Sequence, residues 1–351
     1  MNSKYAFIPD ETTGCLTEQD TKRYISRLFF AVAAFEVAGY VVANLLALIV
    51  RAVCEKFAPE LLESGIFISV ANYLVSMLPM YCVALPVFCI VAAPLPTVLP
   101  QKKKMGAKSW WAGLCVCFTF MYVGNYISNI VITIMETILD QATSNPIESL
   151  VAESNVIVDI IFIVILAPIL EEIFFRKIIC DKLLPLGEGY AIVLSAAIFG
   201  LGHGNFYQFA YTFLVGIICA LIYVKTGKLR YSITYHMIFN LVGGVIAPWL
   251  VEFADLEGAM ELLEQEAPAL DEALLCLAKM LPMLVYVMIY MGVIAIGVVV
   301  LIRALVKKKI KFESGALLPY AENKVLTVLC TVGTAVAVTI YAFTFLLSLI
   351  R

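Results

Sequence analysis

IVDIIFIVILAPILEEIFFRKIICDKL, residues 157–183, is an apolar run with two adjacent carboxylates near its middle. Wound as an α-helix, a run of this length reaches about 40 Å, more than the ~30 Å hydrocarbon core of a bilayer. Backbone groups in that core have no water to bond, so a spanning segment of this kind is helical. Comparable runs fall at 29–50, 67–93, 110–139, 189–204, 206–224, 231–251, 276–305 and 325–350. Of the 351 residues 62% are hydrophobic and only 15% charged, a composition outside that of soluble domains. The expected fold is all-α: a polytopic transmembrane helix bundle of about nine spans, integral to the lipid bilayer, with no room for a soluble catalytic domain. The run at 189–204 is too short to cross and is the exception.

Charge sets the expected orientation. Lys22, Arg23 and Arg27 precede the first run, Lys102, Lys103, Lys104 and Lys108 follow the second, and Lys307, Lys308, Lys309 and Lys311 follow the eighth. By the positive-inside rule these connections are cytoplasmic, and Arg176, Lys177, Lys182, Lys225, Lys228 and Arg230 fall on the same side. The opposite connections, near 140–155 and 252–272, carry Asp140, Glu148, Glu153, Glu257, Glu261, Glu264 and Glu266 without a Lys or Arg, and the second is expected to be a solvated acidic loop, with a short amphipathic lid as the alternative. The N-terminus is thus expected inside and the C-terminus outside. The chain divides into a cytoplasmic N-terminal segment (1–28), N-terminal spans (29–145), a core (146–252), and an acidic external loop with C-terminal spans (253–351). The first apolar run is too long for a signal-peptide core, so the N-terminus is expected to be retained. Ten cysteines lie mostly within apolar runs without a CxxC pair, as packing residues rather than a zinc or disulfide framework. A net charge of −3 and basic residues in short clusters exclude a nucleic-acid partner.

A charged side chain at the centre of a span costs roughly 2.5–3.5 kcal/mol on insertion scales, so Glu171 and Glu172 need partners. Glu172 and Arg176 are four apart with the acid N-terminal, the favourable order for a helical ion pair. Glu171 is rotated about 100° away and is left free. The only two histidines, His203 and His236, also lie in apolar runs. Phe199 and His203 share one helix face, as do His236 and Asn240. One carboxylate, two histidines and an amide inside a membrane read as a polar site rather than four satisfied core residues. Gly200, Gly202 and Gly204 allow close helix approach beside His203, and Pro168 loosens the backbone just before Glu171.

Three elements in order, Glu-Glu-x-x-x-Arg at 171–176, Phe-x-x-x-His at 199–203 and His-x-x-x-Asn at 236–240, resemble the signature of the CAAX-protease and bacteriocin-processing family of intramembrane proteases. The resemblance covers about 150–250. It implies a glutamate protease in which Glu171 is the general base for a water also held by His203, and His236 and Asn240 donate to the oxyanion of the scissile carbonyl. Glu172, Arg176 and Phe199 would support the site. Glu171, His203 and His236 also make a two-histidine, one-carboxylate set for a divalent metal such as Zn2+, so metal-free and metal-dependent chemistry both stay open. The implied partner is a membrane-associated protein or peptide substrate, and the expected location a prokaryotic plasma membrane. Two rival readings use the same scaffold: an ion- or proton-coupled transporter, for which a counterpart of the polar cluster in another half of the chain is missing, and a non-catalytic bacteriocin-immunity protein.

Overall fold

A computed structural model of the chain describes residues 17–143, 145, 155–264, 269–308, 310–315 and 324–350. Glu148, Glu153, Glu266 and Lys309 of the charge map lie outside them, as does the chain before Thr17. The described residues are helical almost throughout: α1 (Glu18–Phe57), α2 (Gly65–Ala92), α3 (Ala107–Leu139), α4 (156–183), α5 (Glu188–Leu201), α6 (Phe206–Thr226), α7 (229–254), α8 (Leu256–Glu264), α9 (Leu270–Val306), α10 (Lys324–Leu329) and α11 (Val332–Ile350). Polar caps set the starts. Thr17 accepts from the Asp20 amide, Ser64 from Phe67, Asn155 from Ile157 and Asn205 from Gln208. Because Thr17 caps α1, that helix begins inside the segment expected to be an N-terminal tail up to residue 28.

Among the described residues seven helices are long and apolar enough to cross a membrane. Each of the nine expected runs falls on helix. α5, with 14 residues, is as short as its sequence indicates, and α4 carries Asp159, Glu171, Glu172, Arg176 and Lys177 in its length. The stretch expected to be an acidic loop is different. Residues 256–264 form α8, whose Met260 and Leu263 are exposed, and Asp255 before it pairs with Lys279 of α9 at 2.9 Å.

Backbone bonds gather the basic connections at one end of the bundle. The Lys103 amide donates to Thr226 O at 2.8 Å, Val98 to Asp181 O at 2.9 Å and Glu188 to Glu313 O at 3.0 Å. Lys182 Nζ donates to Ala92 O and Leu95 O, each at 3.1 Å, and the Tyr24 hydroxyl donates to Lys182 O. At the opposite end Thr143 meets the Tyr207 hydroxyl at 2.7 Å. Arg176 is the exception to the charge map, because it is fully buried and paired inside the bundle rather than in a connection.

The central element is α6. Its Val215, Ile218 and Ile222 pack with Leu114, Phe118 and Tyr235 of α3 and α7. Its Ala220, Tyr223 and Val224 join a larger cluster with Leu28, Phe88 and Phe174 of α1, α2 and α4. Small residues bring α5 against it: a Cβ on Gly216 would lie 3.2 Å from the Ala196 Cα. Within α4, the turns at 160–166 and 173–180 are π-helical on either side of Ala167–Glu172, and in α7 a π-helical stretch at 241–246 follows Asn240 directly. Pro168, without an amide hydrogen, sits between the two α4 stretches. α4 and α7, which carry the two glutamates, His236 and Asn240, are therefore wound wider beside them.

Candidate active site

The site begins with an ion pair. Arg176 Nε donates to Glu172 Oε2 at 3.0 Å, one turn apart on α4, and both side chains are 0% exposed. Arg176 Nη1 donates to Ser195 Oγ of α5 at 3.0 Å, and that hydroxyl donates on to Phe175 O at 2.8 Å. Nη2 has no hydrogen-bond partner among the described residues, but the guanidinium lies over the Phe199 ring, 5.0 Å from its centroid. A buried pair of this kind depends on partners for its other polar atoms: Ser195 and the Phe199 ring of α5 serve the guanidinium, and His236 of α7 meets the second oxygen of Glu172.

His236 of α7 joins the two adjacent carboxylates. Its Nδ1 lies 3.2 Å from Glu172 Oε1 and its Nε2 3.3 Å from Glu171 Oε2. Glu171 is therefore not free, as its helical position alone indicates, but faces a histidine from another helix. The imidazole is held from two sides, stacked on Phe239 at 4.7 Å and edge-on to Phe199 at 5.6 Å.

His203 lies just past the end of α5, in the turn that Gly204, at φ 66°, allows. Its Nδ1 is 2.9 Å from Phe199 O. A carbonyl only accepts, so Nδ1 carries the proton and Nε2 is left as the acceptor. Counted from Glu188, His203 lies about 22 Å along the rise of α5. Asn205 fixes the turn by donating to His203 O at 2.8 Å while capping α6.

Glu171 and His203 open on one cavity of about 170 Å³, walled also by Phe35, Met80, Tyr81 and Tyr341. That space holds several waters. Glu171 is 22% exposed to it whereas Glu172 is closed off. His236 stands behind Glu171, and Asn240 donates to Ile163 O of α4 at 2.8 Å. Phe199 is the packing centre: besides Arg176 and His236 its ring touches His203 at 4.9 Å and Phe175 at 5.0 Å. Reading the sequence by motif missed Ser195, Tyr81, Tyr341 and Glu36. A serine or tyrosine in an apolar helix carries no distinguishing signal. Glu36, an acid inside the first run, does.

The residues do not fit a metal site as they stand. Among the described residues no three His, Cys, Asp or Glu side chains are grouped to hold an ion. His236 turns both nitrogens to carboxylates, and His203 commits Nδ1 to a carbonyl. No step below passes through a metal.

Residues 153–242 match the family described as type II CAAX prenyl endopeptidase, Rce1-like. The family resemblance read from the three motifs is thereby shown for this segment, which contains every residue of the site just described except the cavity walls from α1, α2 and α11. The chain is similar to the membrane-embedded CAAX protease MroQ of Staphylococcus aureus (strain USA300), with 33% identity over 107 residues, 28% of this chain. It spans 43% of the length of that relative. No solved structure matches the chain. With seven helices long and apolar enough to cross a membrane among the described residues, the chain is an integral membrane protein, and the likeness to CAAX proteases lies in its matched segment.

Proposed function

We propose that the chain is an intramembrane endopeptidase that hydrolyses a peptide bond of a membrane-associated protein or peptide, in a prokaryotic plasma membrane, by a glutamate-activated water. One observation carries the reading: of the two adjacent carboxylates, only Glu171 meets the cavity, opposite a histidine whose Nδ1 is the protonated nitrogen. Glu172 is consumed by Arg176 and His236.

Neutral water is a weak nucleophile and needs a base to attack a peptide carbonyl. Glu171 takes its proton while the unprotonated His203 Nε2 holds the second hydrogen, and the resulting hydroxide adds to the substrate carbonyl carbon. The carbonyl oxygen becomes the oxyanion. The donor nearest Glu171 is His236 Nε2, held in place by the Glu172 and Phe239 contacts. Asn240 uses one amide hydrogen on Ile163 O and keeps its second. The C–N bond then breaks, and Glu171 returns the proton to the leaving amine, so that water is consumed and one carboxylate and one amine are formed.

Reconstituted protein given a membrane-anchored peptide in water enriched in oxygen-18 should yield one heavy oxygen in the new carboxylate, read by mass spectrometry. Cleavage without the label would contradict attack by water.

A further inference from the structure

The cations gathered at one end of the bundle are not alike. Around the start of α1 and the end of α4 each has a partner inside the protein. Lys22 pairs with Glu18 at 2.6 Å, Arg23 with Asp20 at 3.3 Å and Lys177 with Asp181 at 2.9 Å, while Lys182 and Arg27 donate to backbone carbonyls. Around the ends of α3, α6 and α9 the charges are left open. Lys103, Lys104, Lys228, Arg230, Lys308 and Lys311 form no ion pair among the described residues, and all but the half-buried Lys228 are exposed. The positive-inside rule accounts for cations at this end, but not for their collecting on one side of it without counter-charge.

The backbone brings three connections to one place, the last turn of α6. The Lys103 amide donates to Thr226 O at 2.8 Å, and a Cβ on Gly227, at φ 61°, would lie 2.7 Å from Pro100 O, so residues 100–103 run against that turn. Lys225 Nζ, paired with Glu188, donates to Lys311 O at 2.6 Å. The start of α7 joins them: the Met105 amide donates to the Tyr231 hydroxyl at 3.2 Å, and Arg230 lies over the Tyr231 ring at 4.9 Å. Of the described residues in these connections Glu313 alone is acidic. The level is that of lipid headgroups. α3, α6 and α9 are long and apolar enough to cross a membrane, so their ends meet its boundary. Large apolar side chains are exposed among the cations: Leu99, Trp111 and Phe312. Lysines interleaved with exposed aromatics suit a surface seated in the headgroup layer, where apolar groups meet acyl chains and cations meet phosphates. A soluble polyanion would leave those apolar groups in water.

We propose that this side of the bundle end is a binding surface for anionic phospholipid, whose headgroup phosphates are held by Lys103, Lys104, Lys228, Arg230, Lys308 and Lys311. The phosphates supply the counter-charge that the chain lacks, and a headgroup shared between connections ties α3, α7 and α9 together beside α6. Four of the six cations lie outside the segment that matches the protease family, and the surface does not rest on the hydrolase reading.

The test reads binding. Full-length protein in a neutral detergent is titrated with dioleoylphosphatidylglycerol, dioleoylphosphatidylcholine, inorganic phosphate or a glutamate-rich peptide, and followed by thermal unfolding and native mass spectrometry. A ligand of the folded state raises its unfolding temperature. Phosphatidylglycerol is expected to raise Tm by several degrees and to stay bound in the mass spectrum, and the other three probes to do neither. Salt at about 0.5 M should remove most of the shift. K103Q/K228Q/K311Q, one cation from each connection, should weaken retention of phosphatidylglycerol roughly tenfold or more, whereas K22Q/R23Q, cations of the same end already paired, should leave it unchanged. Lys311 bonds Lys225 through its carbonyl, so K311Q alone keeps that framework, and partial loss is expected there even where the triple variant does not fold. Equal shifts with phosphatidylcholine, undiminished retention in K311Q or in the triple variant, or equal loss in K22Q/R23Q overturns the surface. A response to inorganic phosphate or to the peptide as strong as that to phosphatidylglycerol overturns the lipid and assigns the cations to a free phosphate or a soluble acidic partner.

Discussion

Two neighbouring glutamates, one turn of sequence apart from the same arginine, end in different chemistry because of where α5 and α7 dock. Glu172 points into the interface and meets Arg176 and His236; Glu171 points to the cavity. Glu172→Gln should therefore destabilise the protein by roughly 3–5 kcal/mol, because it leaves Arg176 charged and buried without its counter-ion. Arg176→Met in the Glu172→Gln background should recover part of that loss, and thermal unfolding in detergent measures both. Ser195→Ala should cost less, about 1–3 kcal/mol, since one guanidinium hydrogen bond is left unmade. The Glu172–Arg176 pair was legible in the sequence, because a spacing of four on a helix is a local rule. That His236 bridges both carboxylates was not, because it depends on the rotation of α7 about its axis against α4.

At the scale of elements, the run lengths fixed where helices lie, and local winding did not show. Pro168 pointed to a loosened backbone before Glu171, and the π-helical turns at 160–166 and 173–180 flank that segment. The matching stretch after Asn240 has a glycine pair and no proline, so no pattern marks it. The acids of 256–264 favoured a solvated loop over a short amphipathic lid, whereas the spacing of Leu256, Met260 and Leu263 gives α8 an apolar side, nearer the second reading. α5 matters most for the site: short and closely packed, it ends where His203 must stand. Gly216→Val tests that packing. Its Cβ would lie 3.1 Å from the Phe199 ring and 3.2 Å from Ala196, so the substitution pushes on the residue whose carbonyl orients His203. Overpacking of this kind costs about 1–3 kcal/mol. The expected outcome is a protein that inserts normally and loses kcat, measured on membranes matched for protein content.

For the whole molecule, the basic connections were expected on one side of the membrane, and they meet at one end of the bundle. Their side relative to the cell is a prediction: cysteines placed at 104, 182 and 228 should react only from the cytoplasmic face and one at 262 only from outside, with external labelling at 104 inverting the map. A strong chelator should leave proteolysis unchanged, since no step of the mechanism uses a metal; activity lost to the chelator and restored by zinc would give the site a different chemistry. The most direct test of the account compares the adjacent glutamates in single-turnover cleavage by purified, reconstituted protein. Glu171→Gln should lower the chemical step by ~10²–10⁴, the range of a lost general base, in protein as stable as the parent. Glu172→Gln should lose stability while its folded fraction still cleaves. Cleavage at the parental rate by Glu171→Gln would contradict the central claim.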